Sequence, residues 1–334
     1  MLLLIMSKFA RKVVIVLGSL LITSCTHIEI NQDYQKHTVN YEALEDIRAE
    51  FKAIKNTHFA PKLVEIEKRT GYQVDVLDFE NIPSDLRPDE DHTIRVSYYR
   101  PENTAGKNIP VVMVMPILGG NYFVSINFSH YFAKRGLAVV LVHRQKKYKK
   151  FSSFGDINKL LKQTVKDHIY VLDWIEQKDD LDHNKIASLG VSMGSIKNCL
   201  VTAIDGRIKA SVMALTGGDL PAIFCQTTER NVRNERNKIL AERNIDIEEL
   251  QRQLNVEITM NPIRFASSID RDKALIVLAK YDKTVPYKLG LELLEKIGYP
   301  EHILLKSGHI TSAVYIPYLK EKSYEFIKKK LHLD

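Results

Sequence analysis

The chain has 334 residues, of which 45% are hydrophobic and 27% are charged, a composition that indicates a folded globular protein and excludes an intrinsically disordered one. Its formal net charge is +7, and three of the positive charges lie in the first 24 residues, which hold no acid. The rest of the chain keeps only a small positive surplus and has no long basic face with interleaved aromatic residues. The sequence therefore argues against a nucleic-acid partner.

The first 24 residues have the pattern of an export signal. Basic residues precede an apolar run, Val13–Ile22, which is too short to cross a bilayer that needs ~20 residues. Residues 21–25, with the sequence LITSC, resemble the bacterial lipobox, in which a cleavage site directly precedes a cysteine that receives lipid. We predict that residues 1–24 are removed and that Cys25 is lipidated. A plain cleaved signal peptide and a buried strand with an incidental cysteine are the alternatives.

A lipidated Cys25 would hold the protein on a membrane. In Gram-negative bacteria an aspartate after that cysteine tends to retain a lipoprotein at the inner membrane, and here Thr26 follows. We therefore expect an exported protein at the outer membrane or the periplasmic face. The other two cysteines, Cys199 and Cys225, are too few for a disulfide framework, and their pairing stays open. No spacing typical of a metal site occurs.

After the signal, the chain divides at about residue 70. Residues 26–40 form a polar tether, and Tyr41–Arg69 places apolar residues at helical intervals, which predicts one or two amphipathic helices broken near Pro61. We expect a tether with N-terminal helices over 25–70 and one large domain over 71–334. A basic run that starts at Arg144 is interpreted as a solvated loop.

From residue 71 onwards, short β-branched runs alternate with helical patterns. This alternation predicts a mostly parallel, doubly wound α/β sheet with an antiparallel N-terminal edge. The expected strands are Gln73–Phe79, Thr93–Tyr99, Pro110–Met115, Ala138–Val142, Lys185–Val191, Ala210–Leu215, Ala274–Ala279 and His302–Lys306. The expected helices are Ser129–Arg135, Ile157–Gln177, Ser195–Ala203, Lys288–Lys296 and Tyr315–Leu331.

One interval breaks this alternation, because more than fifty residues separate the strands ending at Leu215 and starting at Ala274. Within it, Thr228–Leu254 indicates two charged helices split near Asn244–Asp246. A connection this long is usually functional or a small subdomain, and here it would lie above the carboxyl ends of the strands. We predict that residues 217–272 form a helical lid.

The segment Ala187–Ser195 reads ASLGVSMGS and contains the pattern G-x-S-x-G. The pattern alone is weak, but here a buried strand runs into it and a helix leaves it. In such a turn Ser192 would take a strained backbone conformation, with Gly190 and Gly194 relieving collisions. The positive end of the following helix would face any negative charge that forms at the serine. We therefore predict that Ser192 is a nucleophile.

A serine hydroxyl needs a base, and an imidazole base needs a carboxylate to orient it. His309 directly follows the last predicted strand, and Asp282 directly follows the strand before it, so both would lie at the same sheet edge as Ser192. His143, which also ends a strand, is the alternative base, and Asp219 is the alternative acid. The remaining candidates are read as surface or core histidines: His168, His183 and His302.

The order of serine, aspartate and histidine resembles that of the α/β-hydrolase superfamily, in particular its esterases and dienelactone-hydrolase-like members. The likeness covers residues of about 90 to 334 and includes the D-x-x-V-P loop at Asp282 and the Gly308-His309 pair. It implies an α/β-hydrolase fold and a catalytic triad of Ser192, Asp282 and His309. Relatives often carry His-Gly after the third strand, whereas this chain has MPILGG at residues 115–120.

By the same resemblance, the backbone N–H groups of Leu118 and Met193 are aligned with the oxyanion hole. The reaction implied is hydrolysis of a small-molecule ester or related acyl bond, with no cofactor and no metal. A noncatalytic lipoprotein that kept this fold and binds a partner or a hydrophobic ligand is the alternative. A binding module has no chemical need for all three triad side chains.

Overall fold

The computed structural model describes residues 26–28, 49–51, 59–82, 92–102, 108–118, 122–144 and 153–333, with backbone only for 26–28. Ten strands form a single sheet, and helices cover both of its faces. The strands are β1 Thr26–Ile28, β2 Lys62–Arg69, β3 Tyr72–Ile82, β4 His92–Pro101, β5 Ile109–Met115, β6 Ala138–Val142, β7 Leu181–Val191, β8 Ile208–Ala214, β9 Ala274–Ala279 and β10 Glu301–Leu305. The α-helices are α1 Phe123–Ala133, α2 Phe154–Glu176, α3 Met193–Ile204, α4 Leu220–Gln226, α5 Arg230–Arg243, α6 Ile247–Glu257, α7 Tyr287–Ile297 and α8 Ile316–Lys330.

The strand order across the sheet is β1-β10-β9-β8-β7-β5-β6-β4-β3-β2. The central strands β5 to β10 pair in parallel, so their carboxyl ends meet at one edge. At one side β2, β3 and β4 pair antiparallel, and at the other β1 pairs antiparallel with β10. This architecture confirms the α/β sheet with an antiparallel N-terminal edge.

Strands β5, β6 and β9 are apolar throughout because both of their faces are covered. On one face they pack against α1 and α8, where Phe132 and Ile327 are fully buried. On the other face they pack against α2, α3 and α7. This double coverage buries the parallel strands in the core, and the loops that leave their carboxyl ends carry the candidate site.

All eight strands predicted after residue 70 are present as β3 to β10, and the predicted helices are also present. The largest boundary error is in α1, which begins at Phe123 rather than at Ser129. Its first six residues, Phe123–Phe128, are rich in aromatic and β-branched side chains, which have low intrinsic helix propensity. Packing on the sheet outweighs that propensity.

The prediction of helix up to Arg69 is wrong for Lys62–Arg69, which forms β2. This strand pairs with β3 along almost its whole length, and all eight of its residues are exposed. Pairing with a neighbouring strand therefore decides its conformation. Residues 26–28 are also a strand rather than part of a tether, whereas Cys25 and the predicted signal segment lie outside the described residues.

Residues 217–272 contain α4, α5, α6 and three short 3-10 helices. The two charged helices expected over Thr228–Leu254 are thus present as α5 and α6. Near its end, this segment contacts α2: Thr259 contacts the side chain of Asn158, and the Met260 N–H donates to Asn158 Oδ1 at 2.8 Å. Leu250 and Leu254 anchor α6 in the core. That the segment acts as a lid stays a prediction.

Candidate active site

Ser192 lies in a sharp turn between β7 and α3. Its backbone has φ 55° and ψ −125°, a left-handed conformation that residues other than glycine rarely adopt. A β-carbon at Gly190 would overlap the backbone of Gly194, and one at Gly194 would overlap the carbonyl of Met115 on β5. The two glycines thus allow the turn to press against the neighbouring strand. Its tightness directs the serine hydroxyl away from the sheet.

The structure brings together the three side chains that the sequence singled out. His309 Nδ1 lies 2.6 Å from Asp282 Oδ2, and His309 Nε2 lies 2.9 Å from Ser192 Oγ. Because a carboxylate can only accept, Nδ1–H donates to Asp282, which leaves Nε2 free to accept the serine proton. The three side chains form a continuous hydrogen-bonded relay from carboxylate to alcohol, although 117 positions of sequence separate Ser192 and His309.

Asp282 is buried and held from two sides. Its Oδ1 accepts the backbone N–H groups of Thr284 and Val285 at 2.8 and 2.9 Å, while Oδ2 faces the imidazole. Backbone N–H groups stabilise the charged form of a carboxylate and fix its orientation. The loop 282–286 therefore presents a fixed acceptor to His309.

The backbone N–H group of Leu118 lies on a loop that borders the elbow, and that of Met193 lies in the elbow itself. Met193 is the first residue of α3, where N–H groups have no partner within the helix. Leu118 follows β5, whose last residue Met115 lies against the elbow. In the described part of the chain, neither N–H donates to a backbone carbonyl in a turn or loop. That the two groups form an oxyanion hole stays a prediction.

Arg144 holds the loop that carries Leu118, a feature the sequence analysis missed. Its Nη1 donates to the Leu118 carbonyl at 2.5 Å, and its backbone N–H donates to the Tyr122 hydroxyl at 3.0 Å. The guanidinium also lies 4.7 Å from the centre of the Tyr122 ring. Its signal in the sequence was its position two residues after β6, at the carboxyl edge of the sheet, whereas the sequence analysis interpreted it only as the start of a basic loop.

The two rival site residues have structural contacts instead. His143 Nε2 lies 2.8 Å from Ser97 Oγ, on the antiparallel side of the sheet. Asp219 caps α4 by accepting the N–H of Ala222, and its Oδ1 also accepts Asn261 Nδ2 at 3.1 Å. Neither side chain takes part in the relay.

The other histidines also lie outside the relay. His168 is buried in α2, where its Nδ1–H donates to the Thr164 carbonyl, and His302 contacts the Pro300 carbonyl. His183 is exposed on β7. Cys199 and Cys225 are buried and free, so they do not pair.

Within the described ranges, no group of three or more His, Cys, Asp or Glu side chains is arranged to hold a metal ion. Among those same residues, no helix has both the length and the apolar character needed to cross a bilayer.

Comparison with known families gives one match. The family model described as X-Pro dipeptidyl-peptidase (S15 family) matches residues 90–237, less than half of the chain. The matched range includes Ser192 but neither Asp282 nor His309. No curated protein sequence matches the chain.

Solved structures resemble the chain over most of its length. An acetyl xylan esterase from Paenibacillus sp. R4 aligns with a TM-score of 0.65 at 17% identity, covering 93% of this chain and 99% of that one. Acetyl xylan esterase 1 from Thermoanaerobacterium sp. JW/SL YS485 aligns at 0.61 and 12%, covering 86% and 96%. Est1E from Butyrivibrio proteoclasticus, with ferulic acid bound, aligns at 0.55 and 16%, covering 72% and 96%. At these identities the likeness is one of fold.

Proposed function

The chain is an α/β-hydrolase by fold, and from this premise we propose that it is a serine hydrolase that cleaves carboxylic esters through an acyl-enzyme on Ser192. The observation that carries the proposal is the relay from Asp282 through His309 to Ser192, with spacings of 2.6 and 2.9 Å. A binding protein would gain nothing from aligning these three groups.

In the first half of the reaction, His309 Nε2 takes the proton of Ser192 while Oγ attacks the ester carbonyl carbon. The carbonyl oxygen becomes negative and accepts the N–H groups of Met193 and Leu118. Losing one such donor typically costs about 3 kcal/mol of transition-state stabilisation, so the contact of Arg144 with Leu118 bears on rate. The protonated His309 then gives its proton to the leaving alcohol, and the acyl group stays on Ser192.

In the second half, His309 takes a proton from a water molecule, which attacks the acyl carbon. The tetrahedral species collapses, the bond to Ser192 Oγ breaks, and the proton on His309 returns to the serine. The carboxylic acid leaves, and no cofactor enters the cycle. The acetyl xylan esterases among the structural neighbours support an ester as the substrate, since they are esterases with the same fold.

Labelling by a fluorophosphonate probe tests the nucleophile. We expect the wild-type protein to be labelled and Ser192→Ala to remain unlabelled, because the hydroxyl of Ser192 faces an imidazole base that Asp282 orients. Ser153→Ala is the matched control, since Ser153 is exposed at the start of α2 and only caps that helix. It should be labelled like the wild type. Equal labelling of Ser192→Ala would reject Ser192 as the nucleophile, and no labelling of the wild type would favour the noncatalytic alternative.

We further propose that Cys25 is lipidated after removal of residues 1–24 and that it anchors the enzyme at the outer membrane or the periplasmic face. The support is the sequence pattern, in which basic residues, the run Val13–Ile22 and a small-residue site precede the cysteine. The substrate would then be a small ester available at a membrane surface.

A further inference from the structure

Strand β1 begins at the same edge of the sheet as the active site. It pairs antiparallel with β10, and its first residue, Thr26, lies opposite Leu304, one position before β10 ends at Leu305. Neighbouring strands are ~4.8 Å apart, so Thr26 lies beside the loop that leads from β10 to His309. Cys25 directly precedes Thr26. The chain therefore leaves the sheet towards Cys25 at the edge where the triad is assembled.

Apolar side chains are exposed around that same edge. Tyr281 precedes Asp282, Ile310 follows His309, and Val314 lies in the short helix after it. Across the serine, Leu118 and Phe123 are also exposed, on the loop after β5 and at the start of α1. Single exposed apolar residues are common, but a group of them beside one site marks an interaction surface. We call these five residues the apolar rim.

The exposed charges next to the rim are positive. Lys280 and Lys283 flank the acid loop, and Lys306 lies at the start of the histidine loop; all three are exposed. The one carboxylate between them, Asp282, is buried against His309. Loops that combine exposed apolar side chains with lysines match the lipid–water boundary of an anionic membrane, where lysines meet headgroup phosphates.

We infer that the active-site edge faces the membrane to which Cys25 anchors the chain, with the apolar rim in contact with lipid, so that the enzyme takes amphiphilic esters presented at the bilayer surface. The inference rests on the proposed function and on lipidation of Cys25. Three independent features support it: the direction of β1, the position of the rim and the sign of the flanking charges. An anchor at the opposite edge of the sheet would have turned the triad away from the lipid.

Site-specific fluorescence quenching tests this orientation. Val314→Cys places a label on the rim, where the valine is 50% exposed, and Asp179→Cys places one on the exposed loop before β7, at the opposite edge of the sheet. Cys199 and Cys225 are buried, so a nitrobenzoxadiazole thiol reagent will attach mainly to the new cysteine. Each full chain is extracted from membranes and reconstituted in vesicles of phosphatidylethanolamine and phosphatidylglycerol, with and without a lipid carrying a nitroxide near its headgroup.

We expect the fluorescence at Val314→Cys to fall to roughly half or less with the nitroxide lipid, because interfacial side chains enter ~5–10 Å into the headgroup boundary. The fluorescence at Asp179→Cys should be unchanged. Equal quenching at both positions, quenching at Asp179→Cys alone, no association with vesicles, or burial of the rim in a dimer would each overturn the inference. Adding Ser192→Ala should leave the pattern intact, so loss of the proposed activity and loss of the proposed orientation are distinguishable.

Discussion

Ser192 holds a backbone conformation that costs of order 1–3 kcal/mol, and its surroundings maintain it. Its N–H donates to the Ala214 carbonyl on β8 at 2.8 Å, and its own carbonyl accepts Ser195 Oγ at 2.7 Å. Ser195, where many relatives carry glycine, thus adds a hydrogen bond to the elbow. The strain keeps the hydroxyl in reach of His309.

The acid of the relay can be tested by two matched substitutions. Asp282→Asn should lower kcat for a short ester by about 10³- to 10⁴-fold, because an amide cannot hold Nδ1 in its protonated form. Asp219→Asn should keep kcat/KM within about twofold, since a helix cap contributes ~1 kcal/mol to stability and nothing to the transition state. Initial rates of ester hydrolysis for the two variants distinguish the acids. A large loss in Asp219→Asn and none in Asp282→Asn would assign the acid to Asp219.

At the scale of elements, helix α2 carries a buried carboxylate, that of Asp167. Asp167 Oδ1 accepts Gln163 Nε2 at 2.8 Å and lies 2.9 Å from His92 Nε2 on β4. Next to it, burial lowers the pKa of His168 to about 4, against the opposing effect of its hydrogen bond to the Thr164 carbonyl and with a smaller contribution from the positive charge of Lys197. Burial likewise lowers the pKa of Lys197, on α3, to about 8. The packing of α2 on α3 therefore favours neutral forms of both side chains.

This depressed pKa predicts how stability depends on pH. The unfolded chain protonates His168 near pH 6.5 and the folded chain only near pH 4, so unfolding takes up a proton between these values. Acidification from pH 6.5 to 4 should therefore cost the wild type about 3 kcal/mol of unfolding free energy through this group alone.

Urea unfolding at several pH values measures this cost. In His168→Gln the fall in stability between pH 6.5 and 4 should be shallower by about that 3 kcal/mol, since the titrating ring is gone. His183→Gln, which changes an exposed histidine, should follow the wild-type curve. Parallel curves for wild type and His168→Gln would show that His168 is protonated equally in both states.

At the scale of the whole molecule, the single sheet links the anchor to the site. The first strand, β1, and the last strand, β10, are neighbours, so the N-terminal segment and the histidine loop meet although 278 positions separate Thr26 from its partner Leu304. The entropic cost of closing a loop grows only with the logarithm of its length, so this long separation does not prevent the two strands from pairing. The pairing therefore brings the proposed lipid site to the active-site edge.

Lipidation of Cys25 is tested in cells. Cys25→Ser should abolish incorporation of labelled palmitate and move the protein from the membrane fraction to the soluble fraction, because the sulfur and new amino terminus of Cys25 carry the proposed lipid. Cys225→Ser is the control, since this free thiol is buried in α4 and should not affect partitioning. Unchanged palmitate incorporation in Cys25→Ser would count against the anchor.

The triad could be predicted because each of its residues lies within four positions of the end of a strand. Ser192 follows β7, Asp282 follows β9 and His309 follows β10, and parallel strands end at one edge. The rival Asp219 follows β8 in the same way, so position in the sequence alone could not separate the two acids. The hydrogen bonds of each carboxylate separate them.

The alternation of strands and helices, the elbow and the order of serine, acid and histidine are local patterns of apolar spacing and turn residues, so they could be predicted. Three features required the folded structure: Lys62–Arg69 is a strand, β1 pairs with β10, and Arg144 holds the Leu118 carbonyl. Each of these depends on a partner far away in the chain, and a periodicity read along one segment carries no information about a distant partner.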